Sequence, residues 1–322
     1  MAIATNTSLT YSSVAIREDL SDVIYNIAPL DTPFMSGCAK TSVDNTFFEW
    51  QTDTITAGAA NRKIEGDDSI AATARVLPTR LGNYAQISQY VNQTSGTDDA
   101  VNYAGHGKHQ AYQLAKNGKR MKRDMESMLL QNIVRSAGSS TAARASAGVP
   151  AWLATNYVSM NPTSGSPAAG ATGTTAMTES TATASITEAG IKNVIKDAYE
   201  AGGNPDLILC PPAIKQAVSD LAQSVSSLRT DTKGDSPAHV IAAVDVYVSD
   251  FGTFRIVSDR NMNSTEHVFF LDMDYWAIGW LRPFQTVELA RTGDAVKQLL
   301  LAEYGLVSKN EKSSGILADC AA

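Results

Sequence analysis

The sequence predicts an α+β fold built around one long helix, and three observations lead to this prediction. Two stretches alternate large and polar residues as long β-strands do, FFEWQTDTI at 47–55 and RLGNYAQISQYVNQ at 80–93. A helical pattern runs from about His109 to Ser136, and strands and helices alternate from residue 186 to about residue 262. The chain has 322 residues, 43% hydrophobic and 18% charged, which suits one large globular domain or two ordinary ones.

Residues 1–45 are predicted to form an extended N-terminal arm. They hold no strong strand pattern. Their one short amphipathic helix must end before Pro29, because the residue preceding a proline is disfavoured in a helix.

Residues 46–95 are predicted to form a long β-hairpin whose tip is small, charged and rich in glycine. Such a hairpin cannot bury its tip on its own domain, so a partner subunit is the natural place for that surface. We expect its base to be anchored by Phe48, Trp50, Tyr84 and Ile87. The tip carries six charged candidates for intersubunit contact: Arg62, Lys63, Glu65, Asp67, Asp68 and Arg75.

The predicted long helix would cross a domain as a spine about 40 Å long. Leu114, Met121, Met125, Met128 and Leu129 share one face at spacings of three, four and seven, as a buried face does. The basic residues point elsewhere: Lys116, Lys119, Arg120, Lys122 and Arg123. A solvated helix face is the default interpretation, and contact with acidic neighbours or with DNA phosphates is the alternative.

The segment from Gly138 to Ser185 is low in complexity, with Ala, Gly, Ser and Thr dominating. Only GVPAWLATNYV, with Trp152 and Tyr157, is expected to be anchored. The rest is predicted to be a flexible surface loop that tolerates shortening, because it gains little by packing.

Residues 186 to about 262 are predicted to form a second lobe, with a helix closed by Gly202, a buried strand DLILC and a helix opened by proline. Two further strands follow, with a turn at Gly252 between them. The remaining residues, 263–322, supply long strands that are too many for that small lobe. We expect them to return to the spine helix and complete its sheet.

No motif of catalysis appears. The Walker loop, GxSxG, HExxH and GxGxxG are all absent. Two pairs remain as candidates for a metal, His106 with His109 and Asp272 with Asp274. A solvated histidine pair and outward carboxylates at a strand end are the simpler interpretations, so we expect no catalytic residue, no metal and no cofactor.

Charge and targeting features narrow the class of protein. Twenty-six Lys and Arg against 33 Asp and Glu give a net charge of −7, the wrong sign for a protein that wraps nucleic acid with its whole surface. No apolar run is long enough to span a bilayer, and no signal peptide precedes the arm, so we expect a cytoplasmic protein without membrane contact. Cys38, Cys210 and Cys320 are expected to be reduced and structural.

Four motifs, in this order, carry a resemblance to a known family: IYNIAPLDTPFMSG with FFEWQTDTI, GNPDLILCPPAIKQAVSDL, FRIVSDRNM, and the long run from FFLDMDYWAIGWLRPFQ to EKSSGIL. Together with the order of elements, they resemble tailed-phage major capsid proteins of the Hong Kong 97-type fold. The resemblance implies an N-terminal arm at 1–45, an extended loop at 46–95 that lies over a neighbouring subunit, a peripheral domain at 96–185 with the spine helix, an axial domain at 186–262 and peripheral return strands at 263–322.

The same resemblance implies a function. The chain would be a structural subunit that self-assembles, as hexamers and pentamers, into the icosahedral head of a tailed bacteriophage enclosing double-stranded DNA without sequence specificity. Its implied partners are a portal protein, decoration proteins and a separate scaffolding protein. Because the arm begins almost at Met1, the alternative to a separate scaffolding protein is a processed piece that is missing from this chain. Assembly would take place in the bacterial host cytoplasm, and the subunit would end in the virion. The alternatives are the shell of a protein-cargo nanocompartment on the same fold, or a metal-dependent enzyme using one of the two pairs above.

Overall fold

A computed structural model gives the structure of the protein. It describes residues 31–55, 58, 60–66, 75–103, 105–161, 165–225, 245–262, 266–291 and 293–321, with no side chains for 222–225. Most of the predicted arm, and Asp67 and Asp68 of the predicted hairpin tip, lie outside the described residues.

The described elements are five α-helices and fourteen strands. The helices are Pro33–Gly37 (α1), Gly96–Ala100 (α2), His109–Leu130 (α3), Glu188–Glu200 (α4) and Pro212–Val225 (α5). The strands are Ala39–Ser42 (β1), Phe47–Thr52 (β2), Thr79–Tyr84 (β3), Gln86–Ser95 (β4), Tyr157–Ser159 (β5), Ala184–Ser185 (β6), Leu207–Cys210 (β7), Val246–Ser249 (β8), Gly252–Ser258 (β9), Val268–Leu271 (β10), Trp276–Leu289 (β11), Ala295–Ser308 (β12), Gly315–Ala318 (β13) and Cys320–Ala321 (β14).

A four-stranded sheet in the order β1-β11-β12-β4 carries the spine helix α3 on one face. Met121, Met125 and Leu129 are buried against that sheet, as the spacing predicts. The helix ends at Leu130 and not at Ser136, so it is about 33 Å long. The residues after it are extended because they pair with a later loop, where the Gly148 amide donates to the Ile133 carbonyl and Ser136 bridges Ala145.

A six-stranded sheet in the order β5-β13-β10-β7-β9-β8 forms the second lobe. Both α4 and α5 pack on one of its faces, where Ile191, Val194 and Ile214 are buried. The other face joins the core beneath the spine helix through residues such as Leu209 and Phe269. One continuous core therefore links the two sheets.

The second lobe is larger than its predicted limits of 186–262. Strands β10 and β13 come from the residues expected to return to the spine-helix sheet, but β10 lies beside β7, β13 lies on the other side of β10, and β5 pairs with β13. All four residues of β10 and all four of β13 are buried, because these strands are central in the lobe and covered on both faces. Of the return strands, only β11 and β12 complete the spine-helix sheet, as expected.

The described segment up to Ser185 lies largely at the surface, as predicted, but several of its residues are anchored by packing and by specific hydrogen bonds. Met177 is buried in the main core, and its backbone exchanges two hydrogen bonds with the Asn132 side chain. The amide of Ser180 donates to the buried carboxylate of Asp319. Small residues can pack where backbone groups find specific partners, and composition alone does not show those partners.

Candidate functional site

The predicted hairpin is present, but its strands differ from the prediction. The run at 80–93 is not one strand, since it breaks at the buried Ala85, whose amide donates to the Thr46 carbonyl. Before the break β3 pairs with β2, from Phe47 opposite Tyr84 to Thr52 opposite Thr79. After the break β4 pairs with β12 in the spine-helix sheet. The hairpin therefore ends at Tyr84.

The base of the hairpin rests on the face of the spine-helix sheet that α3 leaves open. Phe48 is buried with Ala85, Ala277 and Val307. Its ring lies directly over Gly305 of β12, where an added Cβ would approach Phe48 Cζ to 2.7 Å. Only glycine therefore lets the ring approach the sheet this closely.

Asn83 fixes the hairpin base through a fully buried amide. Its Nδ2 donates to the Leu306 carbonyl at 2.7 Å and to Ser146 Oγ at 3.0 Å. Its Oδ1 accepts from the Ala147 amide at 3.0 Å and from the Tyr84 amide at 2.9 Å. One side chain thus joins the hairpin, the spine-helix sheet and the loop before Val149. Asn83 was not predicted as a functional residue, because its only signal in the sequence is that a polar residue interrupts a strand pattern.

Two arginines reinforce the hairpin. Arg135 donates to the Gly82 carbonyl and lies over the Phe47 ring, 5.4 Å from its centroid. Arg80 forms a two-pronged ion pair with Glu49 across the two strands, at 2.8 and 2.7 Å. This contact lowers the pKa of Glu49 by hydrogen bonding to its carboxylate.

The four residues expected to anchor the hairpin lie in different settings. Phe48 is buried, Trp50 packs on Trp152 with ring centroids 5.4 Å apart, and Tyr84 packs on Phe47 at 4.7 Å. Ile87 requires a correction. It lies in β4, outside the hairpin, and is 45% exposed, because the break at Ala85 shifts the alternation of inward and outward residues by one.

The distal part of the hairpin exposes apolar as well as charged side chains. Arg62, Lys63, Glu65 and Arg75 are exposed, as expected of contact residues. Four apolar residues, which the sequence analysis did not single out, are more unusual: Ile55 is 100% exposed, Ile64 84%, Leu77 77% and Val76 55%. Grouped apolar exposure of this kind marks interaction surfaces.

The candidate basic face of α3 is divided by contacts within the subunit. Arg120 lies 4.8 Å from the centre of the Tyr90 ring, and Arg123 donates to Asn261. Lys116, Lys119 and Lys122 are exposed, and within the described part of the chain none of them takes part in an ion pair. Three lysines therefore remain as the free part of the predicted basic face.

Neither candidate metal pair gathers enough ligands. His106 Nε2 and His109 Nδ1 lie 3.1 Å apart and hydrogen-bond to each other among the rings of Tyr103 and Tyr112. The carboxylate of Asp272 accepts from the Asp274 amide and caps a short 3-10 turn. Among the described residues, no three histidines, cysteines or carboxylates form a group able to hold a metal.

A cleft of about 580 Å³ lies on the other side of the spine-helix sheet, between α1, β1, α3 and β11. Its apolar lining includes Met35, Ile278, Trp280 and Phe284, and Lys40 and Lys122 supply its charge. Within the described residues, no helix is long and apolar enough to cross a membrane.

The spine helix on a four-stranded sheet, the projecting hairpin and the second α/β lobe define a shell-forming subunit of the capsid type. Comparison with known proteins makes this specific: residues 3–321 match the family model described as SU10 major capsid protein, and the chain belongs to that family. The major capsid protein of Escherichia phage Phieco32 is 29% identical over 340 residues, covering 96% of both chains.

Solved structures show the same fold at low sequence identity. The capsid asymmetric unit of cyanophage A-1(L) matches with a TM-score of 0.64 and 13% identity, over 95% of this chain and 97% of that one. An encapsulin complex from Synechococcus elongatus matches with a TM-score of 0.54 and 9% identity, over 92% of each chain. The Hong Kong 97-type fold and the capsid function predicted from the sequence are confirmed: the chain acts as a major capsid protein of a tailed phage.

Proposed function

We propose that the subunit assembles as hexamers and pentamers into an icosahedral head enclosing double-stranded DNA, and that its extended hairpin holds neighbouring subunits together. This proposal rests on the contrast between the buried base of the hairpin and its exposed distal part. Its base is fixed by Asn83 and Phe48, whereas its distal part exposes isoleucine, valine and leucine. A fixed base with an apolar far end is suited to binding another subunit.

The segments then take the roles implied by the resemblance. Residues 1–45 act as the arm, 46–95 as the extended loop, and 96–185 with 263–322 contribute most of the peripheral domain. The lobe centred on 186–262 acts as the axial domain and meets its copies at the capsomer centre. Strands β10 and β13 are included in this lobe because β10 pairs with β7 and β13 pairs with β10.

Packaged DNA is contacted without sequence readout, through the three free lysines of α3. Lysines neutralise phosphates without reading bases, and the net charge of −7 limits adhesion of the rest of the surface. We expect that replacing Lys116 and Lys119 by Gln leaves shells that form normally but hold DNA less firmly at raised ionic strength. Lys192→Gln with Lys196→Gln, in the other lobe, is the matched control. If shells of the unaltered protein, of the α3 lysine variant and of the control all release DNA at the same salt concentration, this role is contradicted.

The proposed assembly also involves other head proteins and takes place inside the host cell. Assembly takes place in the host cytoplasm with a separate scaffolding protein, the head includes a portal protein and decoration proteins, and the subunit catalyses no reaction and needs no cofactor. The family match supports this assignment.

Electron microscopy of purified particles, with nuclease-protected nucleic acid measured on the same sample, tests the proposal. Closed uniform shells that protect double-stranded DNA from nuclease are the expected result. Closed shells filled with protein and free of nucleic acid would favour the compartment function that the encapsulin likeness allows. A subunit that stays monomeric with the other head proteins present would contradict assembly itself.

A further inference from the structure

Three parts of the subunit meet where the predicted arm joins the described chain. Residues 31–35, here called the arm root, lead into α1, which packs on the spine helix α3. Asn261, in the loop after β9 of the second lobe, donates from Nδ2 to the Asp31 carbonyl at 2.6 Å. Its Oδ1 accepts from Arg123 of α3 at 3.3 Å. One side chain thus connects the arm root, the spine helix and the second lobe.

Two buried carboxyl groups face each other at this junction. Glu126 of α3 is fully buried and accepts from the amides of Phe34 and Met35, each at 2.7 Å. Asp259, only 1% exposed, accepts from the Asn261 amide at 2.8 Å through Oδ1. The side chains of Glu126 and Asp259, here called the carboxyl pair, interact directly with each other. The charge of this pair therefore acts on both sides of the junction.

The carboxyl pair needs a proton to form a favourable contact. Two ionised carboxylates can only accept hydrogen bonds, and they repel each other where water is excluded. Asp259 Oδ2 is buried and finds no hydrogen-bond partner in the described residues, so a proton on Glu126 would be donated to it. Burial is the largest cause that raises the pKa of both groups, to about 7 for Glu126. This proton is therefore exchanged near neutral pH.

The cations of the junction are engaged outside the carboxyl pair. Arg123 donates to Asn261. Arg260, next to Asp259 in the chain, is exposed, and its guanidinium lies 3.9 Å from the Asp31 carboxylate. Loss of the shared proton would therefore leave two negative charges facing each other in a buried site.

We propose that Glu126 and Asp259 form a proton-operated latch that holds the arm root against the spine helix and the second lobe. With one proton shared, the carboxyl pair is hydrogen-bonded and the latch is closed. When the proton is lost, the two charges separate, the loop after β9 moves away, and Asn261 releases the Asp31 carbonyl. Because the closed state binds the proton more tightly, the latch is closed below about pH 7 and opens as the pH rises through that value. This device is independent of the role proposed for the hairpin.

Hydrogen exchange of the full-length subunit at pH 6 and pH 8 tests the latch. After correction for the intrinsic pH dependence of exchange, peptides covering 31–38 and 259–262 should lose about tenfold in protection at pH 8. Asp259→Asn removes one charge, keeps Oδ1 for the Asn261 amide and supplies an N–H to the other carboxyl group. It should therefore keep at pH 8 the protection that it has at pH 6. Glu65→Gln, at an exposed position of the hairpin, is the control and should behave like the unaltered chain.

Alkylation of Cys38 gives an independent measure of opening. This thiol follows α1 and is buried, and its pKa is raised by burial and by the charge of Glu126. Ionisation of Glu126 would therefore slow its reaction if the latch stayed closed. We expect instead that alkylation of Cys38, relative to the buried Cys210 of the second lobe, rises about tenfold between pH 6 and pH 8. In Asp259→Asn the ratio should stay constant.

A second variant keeps the test decisive if Asp259→Asn does not fold. Glu126→Gln cannot titrate and keeps one acceptor for α1, so its protection should be the same at both pH values. A pH-dependent loss of protection that persists in either variant would overturn the latch, as would equal protection of the unaltered chain at pH 6 and pH 8. A parallel rise in the alkylation of all three cysteines would show global unfolding in place of a local opening, and would also overturn it.

Discussion

At the scale of single residues, Asn83 carries more of the hairpin's geometry than any charged residue of the tip. Its amide satisfies four partners in a site without solvent. Asn83→Ala leaves the Leu306 carbonyl and the Ala147 amide buried without this partner, so we expect the free energy of unfolding to fall by roughly 2–4 kcal/mol. Urea denaturation of the unassembled subunit measures it. Asn102→Ala, at an exposed position, is the control and should change little.

A second residue of interest is Glu126, a fully buried carboxylate of the spine helix. Its two oxygens accept from the amides of Phe34 and Met35, both at 2.7 Å, and so hold α1 against α3. Burial raises the pKa of Glu126 to about 7, with the neighbouring Asp259 adding to the shift. Asp259 Oδ2 is buried and finds no hydrogen-bond partner in the described residues, so a proton on Glu126 would give it one.

This raised pKa predicts a pH dependence with a definite sign. Because the folded state holds the proton more tightly, the contribution of Glu126 to stability is greatest below pH 4.5 and is lost as pH rises to about 7. Glu126→Gln should therefore flatten the change in unfolding free energy between pH 5 and pH 8 by roughly 2–3 kcal/mol. Urea midpoints at both pH values provide the measurement. An unchanged slope would show that Glu126 does not titrate in this range.

At the scale of elements, the spine helix contains a correctable weakness at Gly118. An added Cβ there would meet nothing closer than Leu300 Cδ2 at 4.0 Å. Gly118→Ala should raise the free energy of unfolding by about 0.5–1 kcal/mol, because alanine loses less backbone entropy in a helix. Gly148→Ala should have the opposite effect. An added Cβ at residue 148 would collide with the Gln131 carbonyl oxygen, so this variant should destabilise the subunit. Thermal melting of both variants tests the pair.

The hairpin is the element whose folding and assembly roles can be separated. Val76→Ser with Leu77→Ser alters only exposed positions, so subunit stability should change by no more than about 0.5 kcal/mol, while the yield of closed shells falls. Val101→Ser, at a similarly exposed position outside the hairpin, should leave both unchanged. Removing residues 57–77 altogether should abolish stable shells and preserve the circular dichroism of the subunit. Normal shells from the deletion would contradict a role of the distal hairpin between subunits.

At the scale of the whole molecule, the two sheets share one core, so we expect them to fold as one unit. The six-stranded sheet takes β5, β10 and β13 from outside 186–262, and its inner face belongs to the core beneath the spine helix. A fragment limited to 186–262 would lack both the neighbour strand β10 and that core. We expect it to remain largely unfolded by circular dichroism, whereas the full chain unfolds in one cooperative transition. A well-folded fragment would contradict this view of the core.

Because strands from distant parts of the chain share one sheet, the sequence predicts several elements but not how all of them pair. Periodicity identified the hairpin, the spine helix and α4, because local patterns govern amphipathic elements. The residues of β10 and β13 were placed in the wrong lobe, since fully buried strands such as VFFL and GILA look alike wherever they pair. Asn83 and Met177 were missed for a related reason. Their importance arises from partners 223 and 45 residues away, Leu306 and Asn132, which no local window contains.

The buried cysteines have a consequence for the life of the particle outside the cell. Cys38, Cys210 and Cys320 are all free and buried, and burial raises the pKa of each thiol, so the reactive thiolate is scarce at neutral pH. No disulfide joins these cysteines in the subunit, so a change in the redox state of the medium breaks no cysteine bond within the fold. The fold of the subunit is therefore held without a cysteine bond in oxidising and in reducing media alike.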